Sequence, residues 1–163
     1  MKTLLIGLGN PILGDDGVGW VVAEQVRSAL SHPAAGIPDP QTVDVDTASL
    51  GGLSLMERLT GYERVILVDA IFTGKQPIGA VSQFLLDDLP DLSAGHSASA
   101  HDTSLRNALH VGREMDILLP TDENVTVITI EAEAVYDFSQ ELSPAVAAAA
   151  PLAAKKVLGL INS

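Results

Sequence analysis

The stretch "RVILVDAI", residues 64–71, constrains the fold more than any other part of this chain. It is apolar at consecutive positions, rich in branched side chains, and short for a helix. A strand that is apolar on both sides must be covered on both faces, as in a parallel sheet between two layers of helices. Its one carboxylate, Asp69, stands at the C-terminal end of the run.

The rest of the chain supplies the layers. Thr3 to Leu8 reads as a short buried strand. Val18, Val21, Val22, Val26, Ala29 and Leu30 then recur three or four apart, the stripe of an amphipathic helix. A Pro/Gly-rich loop, "HPAAGIPDP", leads to "TVDVDTA", which alternates as a strand does, and "LSLMERL" gives a second helix. After "RVILVDAI" comes a further strand, "GAVSQFLL". The intervening "FTGKQPI" is too short for a parallel crossover, so this strand is expected to run antiparallel to its predecessor. A polar stretch from Asp88 to Thr103 precedes a third helix, "SLRNALHVGREM", and "VTVITIEA" is the fifth strand. Ser143 and Pro144 form an N-cap and N1 pair opening an Ala-rich last helix, which Pro151 is expected to kink. The expectation is one domain over residues 1–163, an α/β three-layer sandwich with a mixed five-stranded sheet and one antiparallel strand.

Composition narrows the function classes. The formal net charge is −12, with no local cluster of Lys and Arg, which disfavours nucleic acid and anionic membrane surfaces as partners. There is no cysteine, so disulfides, thiolate catalysis and cysteine zinc sites are excluded. The opening residues lack a signal-peptide pattern, and no run of about 18 residues reads as a bilayer span. A cytoplasmic protein is expected, and a monomer is compatible with the sequence.

The chemistry concentrates in two loops and one strand end. "GLGNPILGDDGVG", residues 7–19, looks at first like a nucleotide-binding turn. The dinucleotide fingerprint needs a third glycine where Ile12 stands, and the adjacent Asp15 and Asp16 would repel a pyrophosphate. Either aspartate can cap the following helix, and for Asp15 that role is the better explanation. Asp69 can cap a turn or meet a cation, since a carboxylate ending an apolar run needs a partner. If the first and third strands are parallel, the Asp16 loop opens on the same edge as Asp69, where open α/β sheets bind ligands. Of the histidines, His32 and His110 read as surface or helix-terminal residues. His96 and His101 lie in the long small-residue loop "SAGHSASAHDTSL", and His101 is favoured because it directly precedes the capping residues of the third helix. Asp16, Asp69 and His101 thus form a candidate set of two carboxylates and an imidazole, suited to a divalent transition metal without identifying it. No serine stands in a G-x-S-x-G elbow.

These motifs resemble those of the hydrogenase maturation proteases, which trim a C-terminal peptide from the large subunit of nickel–iron hydrogenases. The resemblance runs through "GLGNPILGDDGVG", "VILVDAI", "SAHDTSL" and the "LSP" that opens the last helix. It implies an α/β/α sandwich and an endopeptidase whose Asp16, Asp69 and His101 surround a nickel ion, as catalytic and metal-binding residues. The nickel is expected to arrive with the precursor, as the signal that metal insertion is complete. A non-catalytic nickel-dependent checkpoint module on the same fold is the alternative. The family also often carries an aspartate before a Gly-rich turn after the second strand. Asp46 falls there, but Thr47 and Ala48 replace the usual glycines, and capping of the second helix explains it equally well.

Overall fold

The computed structural model describes residues 2–32, 42–49, 51–88, 97–133 and 138–163, with 97–104 described by their backbone only. His96 and residues 33–40 of the Pro/Gly-rich loop lie outside the described residues. The strands are β1 (Thr3–Leu8), β2 (Val43–Ala48), β3 (Arg64–Ile71), β4 (Val81–Leu85) and β5 (Val125–Glu131). The helices are α1 (Val18–Ser31), α2 (Gly52–Leu59), α3 (Ser97–Glu114) and α4 (Pro144–Ile161), and a 3-10 turn, η1 (Gly14–Gly17), precedes α1.

One five-stranded sheet runs in the order β2-β1-β3-β5-β4. β1, β2, β3 and β5 are parallel, and β4 alone is antiparallel, paired with β5. This is the mixed sheet expected from the sequence. The short link after β3 does force β4 to reverse, but β5 inserts between them. The reason is burial. Every residue of β5 is buried and needs a central position, whereas β4 is half exposed and tolerates the rim.

Alternation along the strands sends side chains into two cores. Leu5, Ile66, Val68, Ile128 and Ile130 pack with Val22 and Val26 of α1 and with Ala149, Ala153 and Val157 of α4. Leu4, Ile6, Val65, Leu67 and Val127 pack on the other face with Leu55 and Leu59 of α2 and Leu105 and Leu109 of α3. Helix α4 is long and apolar enough to cross a bilayer by length and composition, which corrects the expectation that no such run exists. Its stripe from Val146 to Ile161 is buried on the sheet beside α1, as in a core helix. The helix also runs through Pro151 as one element.

Two glycines set how α1 approaches the sheet. A Cβ on Gly19 would lie 2.3 Å from the Leu8 carbonyl oxygen and 2.4 Å from that of Val68. A Cβ on Gly7 would lie 2.1 Å from the Gly19 carbonyl oxygen, so Gly7 serves helix packing from within β1 rather than turning the chain off the strand. The edge strand β2 is shielded by side chains of α1 and α2. Arg27 donates to the Val45 carbonyl, the Trp20 indole N–H to that of Ala48, and Arg58 pairs with Asp46.

Two outcomes test this packing. Gly19→Ala pushes a methyl group into two backbone carbonyls and should cost about 3 kcal/mol or more, read from the urea midpoint. The second concerns Tyr62, whose hydroxyl donates to Asp44 at 2.6 Å. That hydrogen bond, then burial and the charges of Asp44 and Asp46, push the phenol up from 10.0 to about 12. The fold therefore favours the neutral phenol, and this small contribution is complete below the unfolded value and lost as pH rises through the folded one. Titration of phenolate absorbance should show a transition near 12 that Tyr62→Phe removes.

Candidate functional site

The site gathers at the C-terminal edge of the parallel strands. β1 pairs with β3 from Thr3↔Arg64 to Gly7↔Val68, so Asp69 lies one residue beyond that ladder. It still pairs with Thr129 of β5 and is 1% exposed. By strand alternation it stands on the side of Leu67, in the layer of α2 and α3. It is thus a strand residue at the sheet centre rather than a turn cap.

The chain leaves β1 through Gly9, whose φ of +131° favours glycine. A Cβ there would meet the Asp16 carbonyl oxygen at 1.9 Å, so Gly9 lets η1 fold back against the strand end. The turn is pinned at several points. The Gly9 N–H donates to the Ala48 carbonyl at 3.1 Å, and the Ser49 hydroxyl donates to the Gly9 carbonyl at 2.6 Å. The Asn10 N–H donates to Asp16 Oδ2 at 2.9 Å. η1 packs on β3, which brings the segment carrying Asp16 to the edge where Asp69 stands. Asp16 is part-buried there.

Asp15 has a different task from the one expected. It does not cap its own helix; the N-cap of α1 is Gly17, with no side-chain cap. Asp15 is 4% exposed and turns to the N-cap of α4, accepting from the Ser143 N–H at 2.7 Å and the Ser143 hydroxyl at 2.8 Å. Ser143 stands at the predicted N-cap with Pro144 at N1, yet its hydroxyl is spent on Asp15 instead of on its own helix.

His101 is a second correction. The third helix starts at Ser97, seven residues before its expected beginning, so His101 belongs to α3 and not to the loop before it. It stands one turn before Leu105, whose side chain is buried in the layer that Asp69 faces, and α3 packs on β3. The geometry therefore brings together the elements that carry Asp16, Asp69 and His101. Among the described residues no three His, Cys, Asp or Glu side chains form a cluster, and the His101 side chain is not one of those described.

Asp46 is accounted for structurally. It sits inside β2, opposite Ile6, accepts from the Thr47 N–H at 2.8 Å and forms an ion pair with Arg58 of α2. It ties α2 to the sheet by its last turn rather than by a cap.

One residue at this edge escaped the sequence reading. Glu131 ends β5 opposite Ile71 and is 1% exposed. It accepts from the Thr73 N–H at 2.8 Å and from the Thr73 hydroxyl, holding the chain as it leaves β3. The signal was present: "VTVITIEA" ends an apolar run on a lone carboxylate, as "VILVDAI" does.

The sequence profile of the HycI hydrogenase maturation proteases matches residues 25–160. A hydrogenase expression/formation protein, HupD, of Rhizobium leguminosarum is 24% identical over 99% of this chain and 75% of its own length. A putative hydrogenase maturation protease of Methanocaldococcus jannaschii is 30% identical over 63% of this chain and 61% of its own. The hydrogenase maturating endopeptidase HybD of E. coli superposes with a TM-score of 0.72 at 23% identity, covering 99% of this chain and 92% of that one. A hydrogenase 2 maturation peptidase from a Thaumarchaeota archaeon gives a TM-score of 0.62 at 28% identity, covering 99% and 98%.

The role of Glu131 has a direct test. Glu131→Ala leaves the Thr73 amide without its acceptor and should cost about 1–3 kcal/mol, with faster hydrogen exchange at that amide. Unchanged protection at Thr73 would contradict the role.

Proposed function

The chain belongs to the hydrogenase maturation protease family, a family of peptidases, and from that premise we propose that it removes a C-terminal peptide from the precursor of a nickel–iron hydrogenase large subunit after nickel insertion. The observation that carries this reading is the common edge of β1 and β3. η1 with Asp16 packs on β3, the strand that carries Asp69, and α3 with His101 packs on β3 in the layer Asp69 faces.

Two carboxylates and an imidazole suit a divalent transition cation. In this proposal the cation is nickel, and it belongs to the substrate. Asp16 and Asp69 offer anionic oxygens, and His101 a nitrogen, to a metal site the precursor already holds. Engagement fixes the scissile segment against the strand edge, which converts a weak encounter into an oriented one. Polarisation of the scissile carbonyl, or of an attacking water, is the chemical contribution such a cation supplies. A precursor without nickel offers nothing for the two carboxylates to hold and is left uncut. The net charge of −12 further favours a precursor segment with basic residues.

Mixing the protein with nickel-loaded large-subunit precursor, and weighing the products, tests the reading. Loss of a C-terminal peptide is expected with nickel and not with the metal-free precursor. Asp16→Asn, Asp69→Asn and His101→Ala should each slow processing at least about 100-fold. Nickel-dependent association without any mass change would instead indicate a checkpoint module, and equal cutting of the metal-free precursor would remove nickel from the recognition step.

A further inference from the structure

We propose that Asp15 is a positioning residue: by latching Ser143 it fixes η1, and with it the direction in which Asp16 is presented. The inference rests on the assignment of Asp16 to the substrate-facing set. Three observations carry it.

Asp15 is saturated. Each of its oxygens receives one donor, the N–H or the hydroxyl of the same serine, at 2.7 and 2.8 Å, and the side chain is 4% exposed. A carboxylate so buried and held by the serine is turned away from an incoming ligand, which separates its task from that of its neighbour. The negative charge also lies at the first turn of α4, where the helix dipole favours it.

The latch has a companion. Leu13 bridges to Ser139, with the Gly14 N–H donating to the Ser139 carbonyl at 2.8 Å and the Ser139 N–H to the Ile12 carbonyl at 2.8 Å. Residues 12–15 are thus fastened to residues 139–143 along their whole length, more than 120 positions away in the chain. This segment bridges the strand edge and the start of α4.

The turn is too short to absorb slack. η1 has four residues, and in a 3-10 helix consecutive side chains stand about 120° apart. With Asp15 turned into α4, Asp16 points about a third of a turn away, and any rotation of the one displaces the other. The bond from the Asn10 N–H to Asp16 Oδ2 then selects the rotamer. Supports of this kind orient a group that meets a metal, and their loss weakens binding or activity about 10–100-fold.

Ser143→Ala, which removes only the hydroxyl, should lower kcat for nickel-loaded precursor about tenfold, well below the variant's own Tm and with KM within about twofold. Asp15→Ala should lower it further. Amide exchange at Gly14 and Asp16 should accelerate in both variants, a readout independent of activity. Ser143→Thr keeps both donors and should restore kcat and protection. Wild-type kcat and unchanged exchange in Ser143→Ala, beside an inactive Asp16→Asn, would overturn the latch and leave the site assignment standing. Failure of Ser143→Thr to restore kcat would also overturn it. A fully active Asp16→Asn would sink the site assignment, and the positioning role would fall with it.

Discussion

The close passage of α1 over the backbone of β1 and β3 is the constraint on which the rest of this structure depends. At Gly19 the helix lies against the carbonyls of Leu8 and Val68 with no room for a side chain. Because that contact falls at the very start of α1, the four residues before it have only one place to go. They fold as η1 against β3, the strand that carries Asp69. A larger residue at Gly19 would lift the helix and carry the Asp16 turn off the strand edge.

Four carboxylates are carried by the segments at this edge, and their surroundings divide them by task. Asp15 and Glu131 are each occupied by the N–H and the hydroxyl of a single residue, Ser143 and Thr73 respectively. They brace the two backbone segments that leave β1 and β3. Asp16 and Asp69 are the pair proposed to meet the incoming cation. Buried charge is costly unless hydrogen-bonded or bound to an opposite charge, so carboxylates at such an edge persist where the fold supplies them with partners.

Much of this was legible in the sequence, for identifiable reasons. The double-sided apolar run of β3 demanded two helical layers, and the short link after it demanded a reversed strand. The Gly-rich turn with its paired aspartates stood out because it violated the phosphate-binding pattern it resembled. What was not legible depends on contacts across long stretches of chain. Nothing local says that Asp15 bonds to Ser143, or that Asp46 meets Arg58. The start of α3 was misplaced because Ser97, Ala98, Ser99 and Ala100 carry no apolar stripe, and the capping-type residues from Asp102 to Ser104 imitate a helix start. Glu131 repeats the pattern of Asp69, a lone carboxylate ending an apolar run, but its partner Thr73 lies 58 positions away and leaves no local trace.

The most direct test of the central claim is the coordination of the precursor's nickel, measured by X-ray absorption before and after this protein is added. Direct engagement by Asp16, Asp69 and His101 predicts added oxygen and nitrogen neighbours around the metal, an addition diminished with Asp69→Asn. A nickel spectrum identical in the free precursor and in the complex would contradict it.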